Sequence, residues 1–311
     1  MYKLIILGGG PAGISAAIYA ARKKIEAAII TDSFGGQSVV SDDIKNWIGE
    51  KSISGYDLGR KLEAHLKDQE GIDIIEGERA IEVRKNEDGS FTVKTESGKE
   101  LTTATILVAT GGRHRRLNIP GESKFEGKGV VFCATCDAPL FRNKEVAVIG
   151  AGNAGLEAVQ DLIKYASSIK LLVRGDKIKG DPLTFEEIKK SEKVEIIYNA
   201  EPAEVLGETL VSGLKYKDLL TGEMKELSLQ GIFVEIGYVP NSEMVKGLVD
   251  IDERGQIMIA DFKTNQTSQK GIWAAGDVAN TLYNQNNVAA GDATRAALNI
   301  YDYLKNDRQN S

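Results

Sequence analysis

Two stretches of this chain repeat one pattern, and the repetition restricts the fold more than any other feature. Residues 4–7, Leu-Ile-Ile-Leu, run into Gly8, Gly10 and Gly13, after which Ile14, Ala17, Ile18 and Ala21 recur at helical spacing. The same order of apolar run, spaced glycines and amphipathic segment returns at Gly150, Gly152 and Gly155. Each glycine of a GxGxxG turn has its own reason: the first makes the tight turn, the second lets a pyrophosphate approach the backbone, and the third brings helix and strand together. The phosphates then face the helix amino end. One such motif also fits a plain glycine-rich turn, but two copies, each set between a strand and a helix, imply two dinucleotide-binding units. In the first copy a second strand, residues 27–31, ends at Asp32, where an acid can bond an adenosine ribose.

Between the copies, short alternating runs separated by Asn-Glu-Asp-Gly and Ser-Gly turns predict an antiparallel meander, followed by a buried strand at residues 106–109. Hairpin segments and a strand over 231–236 follow the second copy. The stretch GIWAAGDVAN then gives one more apolar strand running into Gly276 and Asp277, and an alanine-rich helix is expected over about 291–304. At 311 residues the chain exceeds what one hydrophobic core usually supports, so two domains are expected. Its 33 glycines ask for many turns or close backbone approaches. No linker or low-complexity segment separates the pieces.

The formal net charge of -6 supplies no basic footprint for nucleic acid. The opening apolar run is too short for a signal peptide or a membrane span, which predicts a cytoplasmic address and no membrane partner. Both cysteines of the chain, Cys133 and Cys136, lie in the heptapeptide CATCDAP. In a reducing compartment that spacing points to redox chemistry or metal binding. With only His65 and His114 in the chain, a tetrahedral zinc site would have to borrow carboxylates, so no metal is expected. Two nucleotide sites and one dithiol suggest an electron path from nicotinamide through a flavin to a disulfide. Asp137, directly after Cys136, could move a proton to or from a thiolate, or could equally be a helix cap or turn acid.

The motifs GGGPAG, FGGQ at 34–37 with Asn46 following, ATG at 109–111, CATCD, GAGNAG, GIFVEIGYVPN and AAGDV together resemble the low-molecular-weight thioredoxin reductases. The chain is also similar to the flavoprotein of alkyl hydroperoxide reductase without that protein's additional N-terminal redoxin domain. The resemblance runs nearly end to end. It implies an α/β fold of two Rossmann-like dinucleotide-binding domains, of the two-domain flavoprotein disulfide reductase type. The FAD domain would take residues 1–115 and 244–311, and the NAD(P)H domain with the redox dithiol would take 116–243. Gly8, Gly10 and Gly13 would hold the FAD pyrophosphate and Asp32 the adenosine ribose, while Gly36, Gln37, Asn46 and Gly111 would line the flavin. Gly276 and Asp277 would meet the ribityl chain or phosphate, and Gln285 the isoalloxazine. Cys136 would be the sulfur nearer the flavin, Cys133 the one offered to the substrate, and Asp137 the acid and base. Gly150, Gly152, Asn153 and Gly155 would take the nicotinamide nucleotide. Thioredoxin or a similar redoxin would be the protein substrate of a homodimeric enzyme.

Three departures from the family pattern bear on this. VRGDKIK at 173–179 retains Arg174 and Lys179 where NADPH-dependent members carry an arginine-rich run, and lysine lacks the guanidinium fork that grips a 2′-phosphate. NADH would ordinarily want an acid on its free 2′-hydroxyl, and Val173 stands where that acid is often found, so neither nucleotide is favoured cleanly and NADPH ranks ahead of NADH. Asn284 replaces a usual arginine, and Ala138-Pro139 replaces a glycine-led pair, stiffening the turn after the dithiol. The eroded 2′-phosphate motif keeps a ferredoxin-fed reductase in view, and an oxidase of small dithiols and a nucleotide-binding redox sensor stand as further alternatives.

Overall fold

The computed structural model describes residues 1–41 and 43–309. The chain divides into two units, Met1–Arg113 with Val239–Ser311, and His114–Tyr238. The first opens with β1 (Tyr2–Gly9), α1 (Pro11–Arg22), β2 (Ala27–Phe34), α2 (Gly55–Lys67) and β3 (Ile72–Glu76), and continues through β4 (Ala80–Lys85), β5 (Phe91–Thr95) and β6 (Glu100–Val108). A ribbon of β7 (Gly112–His114) and β16 (Tyr238–Pro240) carries both crossings of the chain between units. The intervening unit holds β8 (Val130–Val131), α3 (Ala134–Asp137), β9 (Glu145–Ile149), α4 (Asn153–Ile163), β10 (Ser168–Val173), α5 (Pro182–Ile188), β11 (Val194–Tyr198), the meander β12 (Ala200–Gly207), β13 (Val211–Asp218) and β14 (Met224–Ser228), and β15 (Gly231–Val234). The chain then returns through β17 (Ile259–Asp261), β18 (Gln266–Thr267) and β19 (Ile272–Ala274) to the long α6 (Asn286–Gln309).

In the first unit, β19, β6, β1, β2 and β3 lie side by side in parallel. A parallel sheet needs cover on both faces, and β1 has it. Leu4 and Ile6 pack with α1 and α6, while Ile5 and Leu7 enter a separate core with Val83, Phe91 and Ile257. The second unit repeats this: β11, β10, β9, β15 and β8 form a parallel sheet. Val146 and Val148 face one core, and Ala147 and Ile149 the other. The strict alternation of neighbours between two apolar faces is why both runs read as unbroken hydrophobic strands.

Two boundaries differ from the sequence expectation. The third strand of the meander and the buried strand at 106–109 are one element, β6. Its polar half pairs antiparallel with β5 through residues 100–103, and its apolar half pairs in parallel with β1 and β19. The last helix begins at Asn286, so Gly291 lies inside it. The polar side chains of its first turn are anchored outside the helix, with Ser38 Oγ donating to Asn286 Oδ1 (3.0 Å) and Asn287 Nδ2 donating to the Asn46 carbonyl (2.6 Å). No apolar period marks that turn, which is why pattern reading starts the helix late.

Candidate functional site

The glycines of the two turns divide by what a side chain would meet. Gly8, at φ +107°, lies against the Ala109 carbonyl, and a Cβ on Gly13 would overlap the Gly8 carbonyl oxygen. Gly150, at φ +129°, lies against the Glu235 carbonyl, and a Cβ on Gly155 would overlap the Gly150 carbonyl oxygen. These four are fixed by the fold itself. The middle glycines differ. A Cβ on Gly10 would come no nearer than 3.8 Å to Gly36 Cα, and a Cβ on Gly152 would meet no atom beyond its chain neighbours within 4 Å. Their missing side chains leave open space rather than relieve a clash.

The helices after these turns have free amino ends. Neither α1, capped at Gly10, nor α4, capped at Gly152, has a side-chain cap or a first-turn acid. By contrast, Ser54 caps α2 by accepting from Asp57 N (3.0 Å), and Asp181 caps α5 by accepting from Thr184 N (2.8 Å). Uncapped amides with a helix dipole behind them, next to open space, fit a phosphate group. The residues present thus fit one dinucleotide in each unit.

Around the first turn the structure gathers most of the residues that the sequence singles out. Gly36, at φ +57°, lies beside Gly10, and Gln37 follows it, exposed, on the short helical turn 36–40. Gly276, at φ +72°, sits between Ala12 of α1 and Ala289 of α6, and holds Asp277 at that end of the sheet. Asn46 Nδ2 donates to Gln285 Oε1 (3.1 Å), joining two expected site residues 239 positions apart. Thr281 Oγ1, between Asp277 and Gln285, is buried without a hydrogen-bond partner. Gly111, at φ +59°, accepts from Asn241 N (2.9 Å), while Asn241 Nδ2 donates to the Thr110 carbonyl (3.0 Å). Asp32 stands at the end of β2 with its carboxylate held by Arg79, through Nε (2.8 Å) and Nη2 (2.5 Å). Arg79 is a supporting residue that no sequence motif announces, whereas Asn241 closes the motif GIFVEIGYVPN.

In the second unit, the segment after β10 folds back over the glycine turn. The amides of Lys179 and Gly180 donate to the Ala151 carbonyl (2.8 and 3.0 Å), and Asn153 Oδ1 accepts from Asp181 N (2.8 Å). Asn153 therefore secures this loop, and Lys179 stands over the turn. Arg174 is committed elsewhere: its Nη2 meets Glu201 Oε1 of β12 at 2.8 Å.

Cys133 and Cys136 form a disulfide with Cα atoms 5.3 Å apart, both half-exposed. Cys133 caps α3, its sulfur accepting from Cys136 N (3.2 Å). Asp137 ends that helix, buried, and its side chain makes no cap hydrogen bond to the 3-10 turn that starts at Ala138. Glu235, just past β15, also belongs to this site. Burial pushes its carboxyl up to about 8, the nearby charges of Glu157 and Asp137 push the same way, and a hydrogen bond from Ala134 N opposes them. In the sequence it is the acid that closes the apolar run opening the motif GIFVEIGYVPN, with no role announced for it. His114 lies between Phe132, tilted at 31°, and Tyr238, edge-on at 74°, with ring centroids 5.2 and 5.3 Å away, and is held below the ordinary histidine range by burial and by Arg116.

The whole of residues 2–293 matches the family model for pyridine nucleotide-disulphide oxidoreductases. The chain belongs to that family. This membership carries the two-domain flavoprotein fold, and with it FAD and a nicotinamide nucleotide as the family's cofactors. The chain is 42% identical over 303 residues to the F subunit of alkyl hydroperoxide reductase in Staphylococcus aureus (strain MRSA252), covering 97% of this chain and 59% of that protein. It is 39% identical over 303 residues to a protein of Bacillus subtilis (strain 168) named NADH dehydrogenase, covering 97% of this chain and 58% of that protein. The chain thus spans somewhat over half the length of these relatives. Thioredoxin reductase from Streptococcus pyogenes MGAS5005 superposes with a TM-score of 0.92 at 31% identity, over 98% of this chain and 99% of that one. Among the described residues no helix is long and apolar enough to cross a membrane.

Proposed function

We propose that the chain is an FAD-dependent disulfide reductase that carries electrons from a nicotinamide nucleotide to the Cys133–Cys136 disulfide and on to thioredoxin or a similar redoxin. The observation that carries this reading is the half-exposed disulfide beside buried Asp137, in the same unit as an open glycine turn. When bound, FAD supplies the two-electron chemistry between nicotinamide and disulfide. Gly10 and the amides of α1 bind one pyrophosphate, with Asp32, held by Arg79, at the adenosine end. Gly36, Gln37, Asn46, Gly111, Asp277 and Gln285 surround the flavin. Gly152 and the amides of α4 bind the second nucleotide under the loop that Asn153 secures. Cys133 faces the redoxin disulfide, and Asp137 moves a proton at the sulfurs.

NADH, rather than the NADPH favoured by motif comparison, is the proposed donor. A 2′-phosphate would have to take Arg174 from Glu201, whereas a free 2′-hydroxyl asks nothing of that arginine. The protein acts in the cytoplasm as a homodimer, a state that light scattering tests. The deciding experiment is anaerobic titration of the yellow protein with NADH and with NADPH, alongside thioredoxin turnover by Cys133→Ser. The expected result is bleaching by stoichiometric NADH, with turnover lost and colour kept in the variant. Thioredoxin reduction that survives Cys133→Ser would sink the assignment.

A further inference from the structure

Glu235 is a largely buried acid that the scheme above does not use, and its surroundings are specific. It closes β15, its amide donates to the Ile149 carbonyl (2.8 Å), and its own carbonyl lies against Gly150, so its backbone is fixed at the glycine turn. Its carboxyl reaches the other way, accepting from Ala134 N, the first helical residue after Cys133. The charges acting on it are acidic: Asp137 comes from α3 beside the disulfide and Glu157 from α4, while Ile149 of β9 meets its backbone. Arg115 lies against Gly237, two residues further on. Burial and two like charges keep such a carboxyl protonated at neutral pH.

We propose that Glu235 and Asp137 form a carboxyl pair that relays the proton taken up when the Cys133–Cys136 disulfide opens. The proposal rests on the redox role given to that disulfide. In each opening the S–S bond breaks, two electrons enter from the reductant, and two S–H bonds form. With a small dithiol as reductant, its two thiols become its own disulfide and release two protons to solvent. Asp137, ionised at rest, takes the proton held on Glu235 and passes it to one departing protein sulfur, and Glu235 regains one from solvent. The other sulfur is protonated directly. Glu235 acts through Asp137, so it is a positioning residue for the proton. A lone acid at the dithiol would have to be recharged from solvent itself, although Asp137 is buried; Glu235, which keeps some exposure, provides the connection.

The test is the rate at which dithiothreitol opens the disulfide in the holoprotein between pH 6 and pH 10, corrected for the reagent's thiolate fraction. The wild-type rate should fall as pH rises through about 8, where Glu235 loses its proton. Glu235→Gln keeps the acceptor for Ala134 N but cannot titrate, so its rate should be about tenfold lower at neutral pH and flat across that range. Glu235→Asp should restore a pH-dependent profile. If Glu235→Gln misfolds, Glu157→Gln decides, because removing that charge should move the inflection to lower pH. Infrared difference spectra between pH 6 and pH 10 should show the loss of a protonated-carboxyl band that Glu235→Gln lacks. A wild-type profile in Glu235→Gln, or an unmoved inflection in Glu157→Gln, overturns the relay alone. A disulfide that dithiothreitol never opens overturns the redox role and the relay together.

Discussion

At Gly152 and Gly155 one added methyl group should have two different effects. Gly155 is packed against the Gly150 carbonyl, so Gly155→Ala should cost about 1–3 kcal/mol of stability through overpacking. Gly152 has open space and an extended backbone at φ -89°, so Gly152→Ala should leave the melting temperature unchanged yet weaken NADH binding roughly tenfold or more. Calorimetric melting and nucleotide titration separate the two; an unchanged affinity in Gly152→Ala would mean that the open face is not the phosphate face. Glu235 makes a second prediction at this scale. Its folded carboxyl titrates near 8 against an ordinary value of 4.5, so the folded state binds the extra proton. The resulting stabilisation is complete below pH 4.5, declines as pH rises toward 8, and is gone above it. The melting temperature of Glu235→Gln relative to wild type should therefore rise across that window, and a pH-independent difference would contradict the burial argument. Both glycines were legible in the sequence because their spacing is local. Glu235 was not, since its burial comes from α3 and α4, elements distant in the chain.

The loop that follows β10 is where an element decides specificity. Arg174 leaves the strand end and is met by Glu201 of β12, an exposed pair of the kind worth about 0–1 kcal/mol. So small a term does not block a 2′-phosphate, but it sets a preference. Glu201→Gln should release Arg174 and raise kcat/KM for NADPH relative to NADH by a few-fold, and steady-state kinetics with both nucleotides checks it. An unaltered ratio would show that Arg174 does not reach the 2′ position. The glycine motif and Arg174 were readable from the sequence, whereas the pairing with Glu201 required β12 to be placed beside the end of β10. The same holds for Asp32 and Arg79: the acid sits where the motif predicts, and its partner comes from the segment after β3.

For the whole molecule, each hydrophobic cluster among the described residues draws its members from a single unit. Cores that are complete within a unit predict autonomous folding. Residues 114–238 expressed alone should melt cooperatively and be stabilised by NADH, while binding no FAD. A fragment with no cooperative transition would show that folding depends on the remainder of the chain. The sequence by itself determined the two strand-turn-helix units, their open glycines and the dithiol, because those features depend on backbone conformation and contacts over a few residues. Tertiary structure alone decided which polar and charged groups meet: Arg79 with Asp32, Glu201 with Arg174, Gln285 with Asn46, and Glu235 with Asp137. Coulomb interaction and desolvation act through space, and only the folded chain brings these distant residues within reach of one another and, at Glu235 and Asp137, takes the side chains out of water.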